Sequence, residues 1–119
     1  MNTWDKKRLQ LEEEETRSKR QLDQILEHEQ QLIFDMGQKF GDLMNVFYHF
    51  DREITSEGSR EFNHITEVVS QEFQQSRQKM QRTVDETAES RRDLTRYYNN
   101  QIDEVLYQKK LSEKVGNRA

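Results

Sequence analysis

Apolar side chains step through this chain by three and four residues almost from end to end, the interval that returns to one face of an α-helix. No segment alternates with the period of two that a strand needs. In the second half the series runs through Phe62, Ile65, Val69, Phe73, Ser76, Met80, Val84, Thr87 or Ala88, Arg91, Leu94, Tyr98, Ile102 and Val105, in phase for over forty residues. In the first half Leu11, Leu22, Ile33 and Met44 are spaced by eleven, which implies a nearly straight or slightly right-handed pairing. Between the two series lies "ITSEGSRE", where Thr55, Ser56, Gly58 and Ser59 gather helix-unfavourable residues at mid-chain. A turn through Gly58 and Ser59 is expected there, with Ser59 capping the second helix and Glu61 set against the positive end of its dipole. The prediction is an all-α fold: helix over about 3–53, turn over about 54–59, helix over about 60–112, and a frayed tail over 113–119 that Gly116 sets off.

A chain folded at this point pairs residues whose numbers sum to about 113. Phe40 then faces Phe73, Ile33 faces Met80, Leu26 faces Ala88, and Leu11 faces Ile102. The apolar stretch before the turn meets the apolar stretch after it, and the polar middle of one arm meets the polar middle of the other. That match favours a long antiparallel two-helix hairpin, coiled-coil-like, over a single rod. Trp4 falls near Lys109 to Leu111 and anchors the end of the hairpin that carries the termini. Gly37 and Gly41, four apart on one face, are read as packing residues that allow a bend or a close helix approach.

The stretch "LIFDMGQKFGDLMNVFYHF" over 32–50 carries eleven apolar or aromatic residues in nineteen, in a chain only 31% hydrophobic. Wound into a helix, Leu32, Ile33, Met36, Phe40, Leu43, Met44, Val46, Phe47 and Phe50 span about 160° of its circumference, with Tyr48 and Phe34 further round. One antiparallel mate covers a narrower stripe than that. The surplus would be an apolar patch of a size that soluble monomers seldom carry. A further chain is expected on it, either helices of a partner or a second copy, completing a bundle. The candidate binding residues are Phe34, Phe40, Met44, Phe47, Tyr48 and Phe50 on the first arm, with Phe62, Ile65, Val69 and Phe73 on the second, these last partly as the hairpin's own core.

Composition agrees with helices and removes several function classes. The 119 residues are 35% charged, with no Pro, four Gly and no Cys, so a compact spherical core is out of reach and no disulfide or thiolate site exists. The net charge of −4 comes from interspersed signs and offers no basic field to a phosphate backbone, so no nucleic-acid partner is expected. Lys6, Lys7 and Arg8, then Arg17 to Arg20, flank the acidic block Glu12 to Glu15, a spacing that pairs unlike charges along a helix. The N-terminus lacks the apolar core of a signal peptide and no run is long enough to span a bilayer, so a cytoplasmic protein without membrane insertion is expected. Glu61-x-x-His64 is the one spacing that resembles a helical metal motif, and it lacks a second copy. His28 and His49 stand alone. With no nucleophile, phosphate loop or metal-hydrolase motif, neither enzyme activity nor a cofactor is expected.

A small, Cys-free, acidic helical hairpin with a central Gly turn resembles the WXG-type proteins of Gram-positive type VII secretion. The segment "RRDLTRYYNNQIDEVLYQKKL" resembles more narrowly the small accessory proteins that bind the N-terminal helical region of LXG toxins. "SEGS" occupies the turn in place of Trp-x-Gly, and no Tyr-x-x-x-Asp/Glu export signal stands near the C-terminus. The resemblance therefore implies a toxin-binding chaperone or targeting factor, its partners being the toxin's helices and a second small accessory protein. The competing class is a self-associating structural coiled coil or scaffold.

Overall fold

The computed structural model is an all-α helical hairpin of two long helices, α1 (Thr3–Glu53) and α2 (Ser59–Arg118). It describes residues 2–53 and 59–118, with side chains over 2–50 and 60–116. The expected turn residue Gly58 lies outside the described residues, and of Ser59 only its place as the first residue of α2 is described. Contacts divide the hairpin into a termini unit, residues 1–26 with 86–119, and a turn unit, residues 27–85.

The start of α1 is fixed by a residue the periodicity did not single out. Asn2 Oδ1 accepts a hydrogen bond from the Asp5 backbone N–H at 2.8 Å, and its carbonyl takes the first helical bond from Lys6 N–H at 3.1 Å. This is N-capping by an Asn side chain, which satisfies a donor that the helix itself leaves free. Along the solvent side of α1, Arg8 pairs with Glu12 at 3.0 Å and Lys19 with Glu15 at 2.7 Å, as the charge spacing implies.

The end of α2 differs from expectation. The helix continues through 113–118 instead of fraying after 112. Gly116 does not stop it, because a glycine terminates a helix by turning to positive φ, and no described glycine does so. A glycine that keeps helical φ costs a helix only about 1 kcal/mol relative to alanine.

In the termini unit the register is held by two interhelical ion pairs. Lys109 Nζ lies 3.0 Å from Asp5 Oδ1, and Arg91 Nε lies 2.7 Å from Asp23 Oδ1. The first places the turn that carries Trp4 beside Lys109; Trp4 itself takes the Lys7 ammonium over its ring at 5.3 Å. The second explains a charged residue in the apolar phase of α2, since Arg91 reaches across to α1. Tyr98, 8% exposed, is the buried residue of this unit. Both carboxylates and both cations stay partly in water, so Asp23→Asn is expected to lower stability by less than about 1 kcal/mol in urea unfolding, and by less still in high salt.

In the turn unit the seam is aromatic. Phe40 stacks on Phe73 with ring centroids 4.0 Å apart and planes 7° from parallel, the pair that the fold at mid-chain brings together. Nearer the turn, Phe62 meets Phe47 edge-on at 5.4 Å and Phe50 at 6.3 Å. Val84, 7% exposed, is the buried residue of this unit.

Gly37 and Gly41 do not do what their spacing implies. A Cβ at either position would meet nothing within 4 Å, so α2 makes no close approach there. Gly41→Ala is accordingly expected to raise stability by about 1 kcal/mol, read as a higher melting temperature. A loss of stability would mean that the glycine is packed after all.

Candidate functional site

The turn unit exposes far more apolar surface than its seam consumes. The seam runs along α1 through Ile33, Phe40, Met44 and Phe47, all half-buried, and along α2 through Phe62, Val69, Phe73 and Met80. A helix that turns about 100° per residue carries further apolar side chains about a quarter turn to either side of such a line. Those on α1 form two flanks. Phe34 and Tyr48, 58% and 57% exposed, lie to one side together with Gly37 and Gly41. Leu32, Leu43, Val46 and Phe50 lie to the other, all exposed.

Surface clefts show which part of α2 accompanies each flank. Phe34 and Gly37 line a cleft of about 520 Å³ with Phe73 and Arg77, and Tyr48 lines one of about 220 Å³ with Asn63 and Thr66. On the opposite flank Leu32 lines a smaller cleft of about 100 Å³ with Met80 and Thr83. Ile65 and Val68, both exposed, share the phase of Thr83 and so extend the Leu32 flank onto α2.

This geometry sorts the ten candidate binding residues into seam and flank. Phe40, Met44, Phe47, Phe62, Val69 and Phe73 are seam residues, engaged across the hairpin and only half-exposed at their edges. An antiparallel mate at helix-packing distance takes whatever side chains share its phase, and these six share it. Phe34 and Tyr48 remain on one outward flank, Phe50 and Ile65 on the other. Leu32, Leu43, Val46 and Val68 belong with Phe50 and Ile65 and were not among the ten. Their signal was present in the sequence as a phase offset: each lies well outside the seam's arc, where a residue is apolar without being needed by the hairpin.

The termini unit has a smaller exposed set. Tyr107, Leu111 and Val115 on α2 are exposed, as is Tyr97, which packs edge-on against Tyr98 at 5.1 Å. The outward positions of Tyr107 and Leu111 leave them without a role in pairing α1 with α2.

Glu61 and His64 are both exposed near the start of α2. Among the described residues no group of three or more His, Asp or Glu side chains could hold a metal ion. No described helix is long and apolar enough to cross a membrane. What the turn unit offers is area: two exposed apolar flanks on α1, one with the larger clefts and one with the ridge of Leu43 and Val46. The chain matches no protein-family model, no curated protein and no solved structure.

Proposed function

We propose that this hairpin is a non-enzymatic helix-binding protein that acts in the cytoplasm as chaperone and targeting factor for an LXG-type toxin exported by a type VII secretion system. The observation that supports the binding role is the exposed apolar surface of the turn unit, carried by Phe34 and Tyr48 on one flank and by Leu43, Val46, Phe50 and Ile65 on the other. Covering the exposed half of such a side chain contributes on the order of 1 kcal/mol, and a partner helix gains a comparable amount from its own apolar stripe. The mode is an amphipathic helix laid along a groove between helices. The choice of a toxin as cargo rests on the resemblance of the segment over 91–111 and of the hairpin as a whole to accessory proteins of LXG toxins. In that setting the added helices would be shielded before export, and the bundle would form the composite surface that the secretion machine recognises.

Co-expression with the helical N-terminal region of an LXG toxin from the same genome, alone and with a second small accessory protein, tests the assignment. A stoichiometric complex that survives gel filtration, with this chain monomeric or loosely dimeric in the toxin's absence, is the expected result. A stable homodimer at low micromolar concentration that ignores the toxin would point instead to a self-associating scaffold.

A further inference from the structure

The two flanks of the turn unit are not equivalent, and their difference assigns one of them. We infer that the partner's helix docks on the cleft flank of Phe34 and Tyr48, and that it presents large apolar side chains together with an acidic residue opposite Arg77. The inference rests on the helix-binding role above and names the face and the chemistry of its occupant.

Shape is the first reason. The two larger clefts, about 520 Å³ and about 220 Å³, both open on this flank. Between Phe34 and Phe73 the floor falls away to Gly37, whose missing side chain leaves open space. A groove of this kind is filled by protruding side chains from a helix that crosses it. Gly37 and Gly41 are costly in an exposed helix and give nothing to the pairing of α1 with α2, so the space they leave has its use outside the hairpin.

Charge is the second, independent reason. The chain is 35% charged, yet on this flank α1 carries none from Gln30 to Tyr48. Gln38 and Asn45 fill the polar positions, while Asp35, Lys39 and Asp42 point to the far side of the helix. Loss of charge with aromatic enrichment is the composition of an interface centre. Arg77 stands on the cleft wall and, like Arg17, Arg20, Arg60 and Arg82, makes no ion pair among the described residues; it is set apart by its place in an apolar cleft. A guanidinium brought under an interface needs a carboxylate, and the cleft lining supplies none.

The occupant is a helix of another protein and not a second copy of this chain. A second copy paired through the same flank would offer Arg77 only a cleft lining that holds no carboxylate. Setting the ridge of Leu43 and Val46 of one copy into the cleft of the next is a heterologous contact, which leaves each end copy with one flank uncovered unless it closes into a ring.

Binding to the helical N-terminal region of an LXG toxin, measured by calorimetry with the second accessory protein present where the complex requires it, separates the outcomes. Gly37→Leu fills the groove and Gly41→Leu adds bulk one turn further along the same flank; a Cβ at either position meets nothing within 4 Å, and circular dichroism checks that both variants keep the wild-type helix content. They are expected to weaken binding by about thirtyfold or more, and Arg77→Glu by about tenfold. The double change Leu43→Asp with Val46→Asp on the opposite flank is expected to stay within about threefold of wild type. If the toxin region binds but the ridge variant abolishes binding while the glycine variants keep it, the assignment of the face is overturned and the helix-binding role stands. If wild type binds no toxin region, the role fails and the occupant named here fails with it. A homodimer broken by Gly37→Leu would then give the cleft to a second copy, which also overturns the inference.

Discussion

Phe40→Asp is expected to unfold the turn unit, lowering stability by about 3–5 kcal/mol in urea denaturation followed by circular dichroism. The ring it removes lies face to face with Phe73 at 4.0 Å, and the carboxylate it introduces would lose water against that ring. Phe40→Ala and Phe73→Ala, half-buried as both residues are, should each cost about 2–3 kcal/mol. The pair should show a coupling of about 1 kcal/mol in a double-mutant cycle. Additive losses would mean that the stack is incidental. Phe47, edge-on to Phe62 at 5.4 Å, belongs to the same seam. Loss of a partner on replacing Phe40 or Phe47 would therefore report an unfolded hairpin, and says nothing about which face the partner uses. Substitutions that leave the seam intact, at Phe34, Tyr48, Gly37 or Leu43, carry that information.

Tyr98→Ala should have the second large effect, a loss of about 3 kcal/mol and a fall in melting temperature on the order of 10 °C. Tyr98 is one of two described apolar residues less than a tenth exposed, and the other, Val84, lies in the turn unit. Elsewhere in the termini unit the apolar seam, with Leu22, Leu94 and Ile102, is only half-buried, and ion pairs such as Asp5 with Lys109 stay partly in water and are worth little. The largest single loss in this unit is therefore expected at Tyr98. Tyr107→Ala, at a position 57% exposed, should change stability by less than about 0.5 kcal/mol. Equal losses at 98 and 107 would contradict the burial that separates them. Hydrogen exchange adds a local readout: protection should fall mainly over residues 1–26 and 86–118 for Tyr98→Ala, and mainly over 27–85 for Phe40→Asp.

Much of the fold was legible because a helix writes its geometry into sequence as a period. The step of three and four placed both helices, and the apolar phase of each arm set the register that joins Phe40 to Phe73. Leu11, Leu22, Ile33 and Met44, spaced by eleven, all turn out half-buried. Asn2 was legible in principle as an N-cap, three residues before Asp5, but a cap is a local signal without a period and is easily passed over. The end of α2 was misread at Gly116 because glycine ends a helix only when its φ changes sign, and a residue name does not record that.

The surplus of apolar surface over 32–50 was likewise a property of the sequence alone, since no single antiparallel mate can cover so wide an arc. Which side chains make up the surplus was not. Period and composition are the same for Phe40, which stacks in the seam, and for Phe34, which faces outward. Only the position of α2 around α1 divides seam from flank, and that position follows from packing both arms at once. The same packing left Gly37 and Gly41, expected points of close approach, facing open space, with Gly37 in a cleft that has Arg77 on its wall. Sequence thus determined that this hairpin carries more apolar surface than it can use on itself; tertiary structure decided where that surface lies, because one helix fixes an angle only when another is set against it.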